Sequence, residues 1–146
     1  MVDNVDIGAA PNRLVLRLVE SEGQERYLRA ELLLDSLNAS LFVHDLPGAG
    51  KRGDFDALAD AFVEFGSDFG ARNAEEIWTS ADHDLVMFLG ADALGHVFLT
   101  VELSQAVEDG WSVRASDLVS AHCWMVSPTC DVAHSARRTN VRYSPG

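Results

Sequence analysis

Apolar residues recur along the 146-residue chain with two different periods, and the change of period marks its elements. The run Leu14-Val15-Leu16-Arg17-Leu18-Val19-Glu20 is rich in Leu and Val and reads as a strand. Ser21-Glu22-Gly23 is a turn signal. From Arg26 to Asp35, Tyr27, Arg29 and Glu31 then alternate with Leu28, Ala30, Leu32 and Leu34. This period of two predicts a half-buried strand hairpinned to the first. Ser40 to Leu46 supplies a third strand.

The period changes after Pro47 to Gly53, a loop of Pro, Gly and two bases. Asp54 is a good N-cap, and Phe55, Leu58, Phe62, Phe65 and Phe69 follow at steps of 3, 4, 3 and 4. That spacing places five apolar side chains on one face of a helix, with Gly70 as a residue able to stop it.

Strands resume with Glu76 to Ser80 and the continuous apolar run Asp84 to Gly90, which predicts a central strand. His96 to Leu103 alternates, with Val97, Leu99, Val101 and Leu103 on one face, and Trp111 to Ala115 alternates as well. Asp92-Ala93-Leu94-Gly95 and Asp109-Gly110 are turns, and such short connections imply antiparallel neighbours. The expected fold is α+β: one antiparallel sheet of about six to seven strands, with one amphipathic helix packed on one face. Residues 1–12 are expected to be a loose leader, 13–119 a single domain, and 120–146 an irregular, mildly basic tail.

Composition is that of a globular domain, with 47% apolar residues, 23% charged and a mean hydropathy of +0.01. Two cysteines are too few for a disulfide scaffold. The N-terminus has acids but no base, so it lacks the pattern of a secretory signal, and no apolar run is long enough to span a bilayer. A cytoplasmic protein is expected.

Charge adds a direction. The net charge is −12, but it is uneven: 22 acidic and 8 basic residues precede Leu118, and one acid and three arginines follow Asp117. Phosphate recognition needs a basic surface, so neither nucleic acid nor an anionic membrane is an expected partner. A basic protein is, because opposite potentials steer encounter. On the helix, Asp56, Asp60, Glu64 and Asp68 fall four residues apart, where like charges are neighbours and repel. No lysine or arginine lies between Asp54 and Asp68, and Glu64 and Asp68 stand near the unfavourable end of the helix dipole. These four are the candidate partner-binding residues. Against this stands the simpler reading of a solvated face on an acidic protein.

Other constellations are weaker. Asp82-His83-Asp84 with His96 contains the groups of an acid–base or metal site, though nothing in their spacing requires them to meet. His122, Cys123, Cys130 and His134 suggest zinc, but six residues separate the cysteines where two to four are usual. Gly48-Ala49-Gly50-Lys51-Arg52 imitates a phosphate-binding loop, yet Asp45 stands where the motif needs Gly and Arg52 where it needs Ser or Thr. Trp78 and Trp111 are expected in sheet packing. No cofactor and no catalytic residue is expected, and the oligomeric state is open.

The series Glu76-Ile77-Trp78-Thr79-Ser80, Asp84-Leu85, Gly95 to Val101 and Trp111-Ser112-Val113-Arg114-Ala115 resembles a family of short, uncharacterised actinobacterial proteins. That family is similar in pattern to the WapI type of immunity protein, which protects bacteria from polymorphic toxins. The resemblance spans roughly Arg26 to Asp117, and the chain from Leu118 departs from the helical C-terminus of that family. It implies a non-enzymatic protein of bacterial self-protection, and together with the charge asymmetry and the helix stripe it gives the expectation of an immunity protein masking a basic toxin. The alternatives are a small enzyme or metal-binding protein using Asp82, His83, Asp84 and His96, and a self-associating structural protein that pairs through the Leu85 to Leu89 strand.

Overall fold

The computed structural model describes residues 4–9, 11–20, 26–67, 70–105, 110–116, 120–121 and 141–145. Its strands are β1 (Asn4–Ala9), β2 (Asn12–Glu20), β3 (Arg26–Leu33), β4 (Asn38–His44), β5 (Arg72–Thr79), β6 (Leu85–Ala91), β7 (Val97–Gln105), β8 (Trp111–Ala115), β9 (Ser120–Ala121) and β10 (Val141–Pro145). One helix, α1 (Phe55–Gly66), lies between β4 and β5.

The strands form two antiparallel sheets with four main strands each. The first has the order β1-β2-β3-β4. The second runs β8-β7-β6-β5, extended by β10 against β8 and by β9 against β7. In the first sheet, Leu14, Leu32 and Ala39 share one cross-strand row, and Leu16, Ala30 and Leu41 the next. In the second, Leu85, Leu103 and Val113 align, as do Met87, Val101 and Ala115. These inner rows belong to one continuous core, which also takes in Ala61 and Phe65 from the helix. Each fully buried Leu or Met in it is worth about 1.5–3 kcal/mol relative to exposure.

This corrects the expectation of one sheet of six to seven strands under a helix. The individual strands stand close to where alternation placed them, and β6 is central, paired on both sides. The period of two says which residues share a face, but not which face lies opposite. Both sheets carry a leucine-rich inner face, and twelve helical residues are too few to cover either. The sheets cover each other instead. At the N-terminus, where a loose leader was expected, Asn4–Ala9 pairs with β2, and Val5 and Ile7 stand in register with Leu16 and Leu14. In the tail expected to be irregular, Ser120–Ala121 pairs with β7 and Val141–Pro145 with β8, while residues 122–140 lie outside the described residues.

The helix begins as its N-cap predicts. Asp54 accepts the backbone N–H of Asp56 at 2.9 Å and that of Gly48 at 2.9 Å. The Gly48 bond holds its carboxyl below the ordinary value despite an opposing effect of burial, and the Asp56 and Ala57 amides help. The buried Asp45 accepts the N–H of Phe55 at 3.2 Å and faces Arg26 at 3.4 Å. α1 ends at Gly66, where the Ser67 N–H reaches the carbonyls of Val63 and Glu64. Phe69, the last expected position of its apolar stripe, lies outside the described residues.

The loop before α1 is stitched to the edge of β5. Gly53 N–H donates to Thr79 O at 2.8 Å, and Thr79 N–H donates to Lys51 O at 3.1 Å. Gly53 has φ +92, and a Cβ there would lie 3.0 Å from Ala81, so only glycine fits. β5 itself slips register between Arg72 and Glu75 and between Glu76 and Trp78. The second slip lets the adjacent Ile77 and Trp78 both be buried.

Candidate functional site

Three of the four acidic helix residues, Asp56, Asp60 and Glu64, are exposed on the solvent side of α1. Ala61 and Phe65 on the opposite side are buried, so packing against the core fixes which way the carboxylates point. Asp68, the fourth, lies outside the described residues.

The stripe is not bare. Lys51, from the tip of the glycine-rich loop, places its Nζ 2.7 Å from Glu64 Oε2. Its backbone is fixed by Thr79, so the loop's attachment to β5 carries this cation to the helix. Glu64 also borders a cleft of about 300 Å³ between α1 and β5, whose other polar walls include Arg72, Glu75 and Glu76. The guanidinium of Arg72 lies 3.7 Å from the Phe65 ring centroid and donates to the Phe65 carbonyl at 2.6 Å. It thereby offsets the negative end of the helix dipole. Glu75, 3.4 Å from Arg72, and Glu76 are both exposed. Of the helix carboxylates, Glu64 thus shares the cleft with Glu75 and Glu76 of β5, and Lys51 and Arg72 are the cations in its lining.

The Asp82-His83-Asp84 and His96 constellation does not assemble. His83 caps the turn before β6, and His96 follows the turn after it, so the seven residues of β6, about 20 Å of strand, separate them. His83 has φ 61, and its Nε2 lies 2.6 Å from an Arg52 nitrogen. Arginine can only donate, so this ring nitrogen accepts. Asp84 next to it is pushed above its ordinary value, first by burial and then by Asp82, with His83 opposing.

His96 has a different partner. Its Nδ1 lies 2.7 Å from Asp92 Oδ2, and Asp92 Oδ1 accepts the N–H groups of Leu94 at 2.8 Å and His96 at 2.9 Å. Burial acts to raise the Asp92 carboxyl, but these bonds from His96 and Leu94 hold it below its ordinary value. The pair closes the β6–β7 turn. Among the described residues, no group of three His, Cys, Asp or Glu is placed to hold a metal ion. His122, Cys123, Cys130 and His134 lie outside them.

The remaining motifs have structural uses. The Gly48 amide of the phosphate-loop imitation wraps the Asp54 carboxylate. Trp78 is fully buried and donates its indole N–H to Asp54 O at 2.9 Å, while Trp111 donates to Gln105 at 2.8 Å. No helix among the described residues is long and apolar enough to cross a membrane. Sequence reasoning passed over Lys51, Glu75 and Glu76 as parts of this surface. The adjacent Glu75-Glu76 pair was a visible charge signal, whereas the Lys51 contact depends on the loop's path.

Residues 9–138 match the family described as a family of unknown function, DUF6228. Neither the curated proteins nor the solved structures gave a match.

Proposed function

Starting from the fact that the chain belongs to DUF6228, a family of unknown function, we propose that it is an acidic binding protein. Its site is the surface formed by Asp56, Asp60 and Glu64 of α1 with Glu75 and Glu76 of β5. The partner is a basic protein, and the sequence resemblance adds its class: a toxin domain masked by this chain as an immunity protein in the cytoplasm.

One observation carries the reading. Exposed carboxylates from two elements, Glu64 of α1 with Glu75 and Glu76 of β5, border one cleft, and on the helix Asp60 and Glu64 repel at four-residue spacing. A surface held against local stability fits a role in association, where opposite charge speeds encounter. The separation of His83 from His96 takes away the geometry an enzyme reading would draw on. β6 pairs with strands on both sides, so it offers no edge for the self-associating reading that used Leu85 to Leu89.

The test is to express the C-terminal domain of the protein encoded directly upstream and titrate it with this chain by calorimetry. Saturable binding of a basic domain, with growth rescue on co-expression, supports the assignment. An upstream gene without such a domain, or a domain that is not bound, contradicts it.

A further inference from the structure

Among the described residues, four strands close the ends of the two sheets, and three of them carry a feature that disfavours pairing with another strand. β5 is bridged along Thr79 by the Lys51–Gly53 loop and broken by two register slips. β10 contains Arg142 and ends in Pro145. β1 contains Asp6 and a glycine, Gly8, at φ 103. β4 has none of these. Asn38-Ala39-Ser40-Leu41-Phe42-Val43-His44 holds no Asp, Glu, Lys, Arg or Pro, and its register with β3 is unbroken.

The hydrogen-bond phase of β4 is fixed at both ends. Asp45 N–H donates to Arg26 O at 2.9 Å, and Leu34 N–H donates to Leu37 O at 2.8 Å. In an antiparallel ladder, bonded and non-bonded pairs alternate. Counting inward from either end, Ala39, Leu41 and Val43 turn their backbone groups toward β3. Ser40, Phe42 and His44 turn theirs away, and these amides have no acceptor among the described residues. At the centre of the row, Phe42 is 61% exposed.

We propose that β4 is a dimerisation edge and that its occupant is β4 of a second copy of this chain. Antiparallel pairing about a two-fold axis at Phe42 sets Phe42 opposite Phe42, and Ser40 opposite His44 of the second copy. The outward backbone donors of Ser40, Phe42 and His44 then meet outward acceptors, and the interface is isologous. The first sheets of the two copies become one eight-stranded sheet, and the exposed Phe42 rings cover each other.

Self-complementarity selects this occupant, because the outward groups of Ser40, Phe42 and His44 pair with those of an identical strand about one two-fold axis. Each chain carries −12, which opposes association of two copies, and β4 offers them a seam free of acids. Of the flanking acids, Glu31 bridges Arg29 at 2.8 Å and Asp45 is buried against Arg26, while Asp35 stays exposed in the turn before β4. The Arg29 backbones of the two copies stand three strand spacings apart, roughly 14 Å, and each guanidinium lies 5.9 Å from the Phe42 ring centroid of its own chain. Salt strengthens the dimer by damping the repulsion of the two acidic bodies.

Light scattering on the full chain at rising concentration is expected to give twice the 15.9 kDa mass, shifting further toward the dimer with added salt. Phe42→Lys and Ser40→Pro, the latter at an amide that β3 does not use, are expected to return the monomer mass. A cross-link keeps the proposal testable if either variant folds poorly. With Cys123 and Cys130 changed to serine, Phe42→Cys is expected to form an intermolecular disulfide on mild oxidation. Facing residues of a bonded pair lie about 5.5 Å apart between Cα atoms, within disulfide range. Ser40→Cys, facing His44 of the second copy, is expected to form none. A monomer mass at every concentration and salt overturns the proposal, as does a dimer that survives both edge variants or cross-links equally through positions 40 and 42.

Discussion

Lys51 Nζ stands 2.7 Å from Glu64 Oε2, tying a loop tip to the acidic face of α1. The two side chains are 59% and 67% exposed, so water screens the pair and it adds little to stability, roughly 0–1 kcal/mol. Its consequence is for binding, because it masks a carboxylate that an incoming cation would use. Lys51→Ala is expected to leave the urea midpoint nearly unchanged and to strengthen binding of a ten-lysine peptide. Fluorescence titration at low salt reads the change. Unchanged or weaker binding would show that Glu64 is not part of the surface.

Asp45 anchors the start of the helix. Its carboxylate is almost wholly buried, between the Phe55 amide and Arg26. Arg26 remains 40% exposed, so removing Asp45 leaves a cation that water can still reach. The full 3–5 kcal/mol penalty of breaking a buried pair does not apply. Asp45→Ala is expected to cost about 1.5–3 kcal/mol, the range for hydrogen bonds to a charged group, by urea denaturation.

Trp78 links the core to the same helix start through its bond to Asp54 O. Trp78→Phe keeps an aromatic ring but removes the bond to the part-buried Asp54 carbonyl and leaves unfilled volume. A loss of about 2–4 kcal/mol is expected from the two effects together, read by thermal or chemical unfolding. A loss under about 0.5 kcal/mol, typical of surface positions, would mean that the indole bond is not made.

Asp84 gives a pH signature of known sign. Its pKa is raised in the fold, mainly by burial and then by Asp82. The contribution of such a group is present at low pH and is lost as pH rises from about 3.8 through the raised folded value. Asp84→Asn is expected to stabilise the protein above that window, by no more than about 0.5 kcal/mol, and not at all below it. Asp54 and Asp92 have depressed values and act oppositely, so their contributions are lost as pH falls through their folded values. Unfolding curves across acid pH for the wild type and Asp84→Asn separate the two signs.

Much of this fold was legible locally. Alternation in Val97-Leu99-Val101-Leu103 located β7, and Asp54 followed by Phe55, Leu58 and Phe62 located α1. The pairing of layers was not legible, because Leu14 and Leu103 carry the same apolar signal whether they face a helix or another sheet. β1 was missed because Val5 and Ile7 are its only large apolar residues, set among Asn, Asp and Gly. At the site, the helix carboxylates followed from spacing alone. Their counter-cation did not, since Lys51 is thirteen residues from Glu64 and reaches it only through the loop's bonds to Thr79. His96 was grouped with Asp82 and Asp84 by residue type, while its actual partner, Asp92, had been read only as part of a turn.

The most direct measurement is the association rate between this chain and the basic domain encoded upstream, at low and high salt, for the wild type and for Asp60→Lys with Glu64→Lys. A binding surface built on α1 is expected to give a wild-type rate that falls steeply with salt and a rate about tenfold or more lower in the double variant at low salt. A rate indifferent to salt and equal in the two proteins would contradict it.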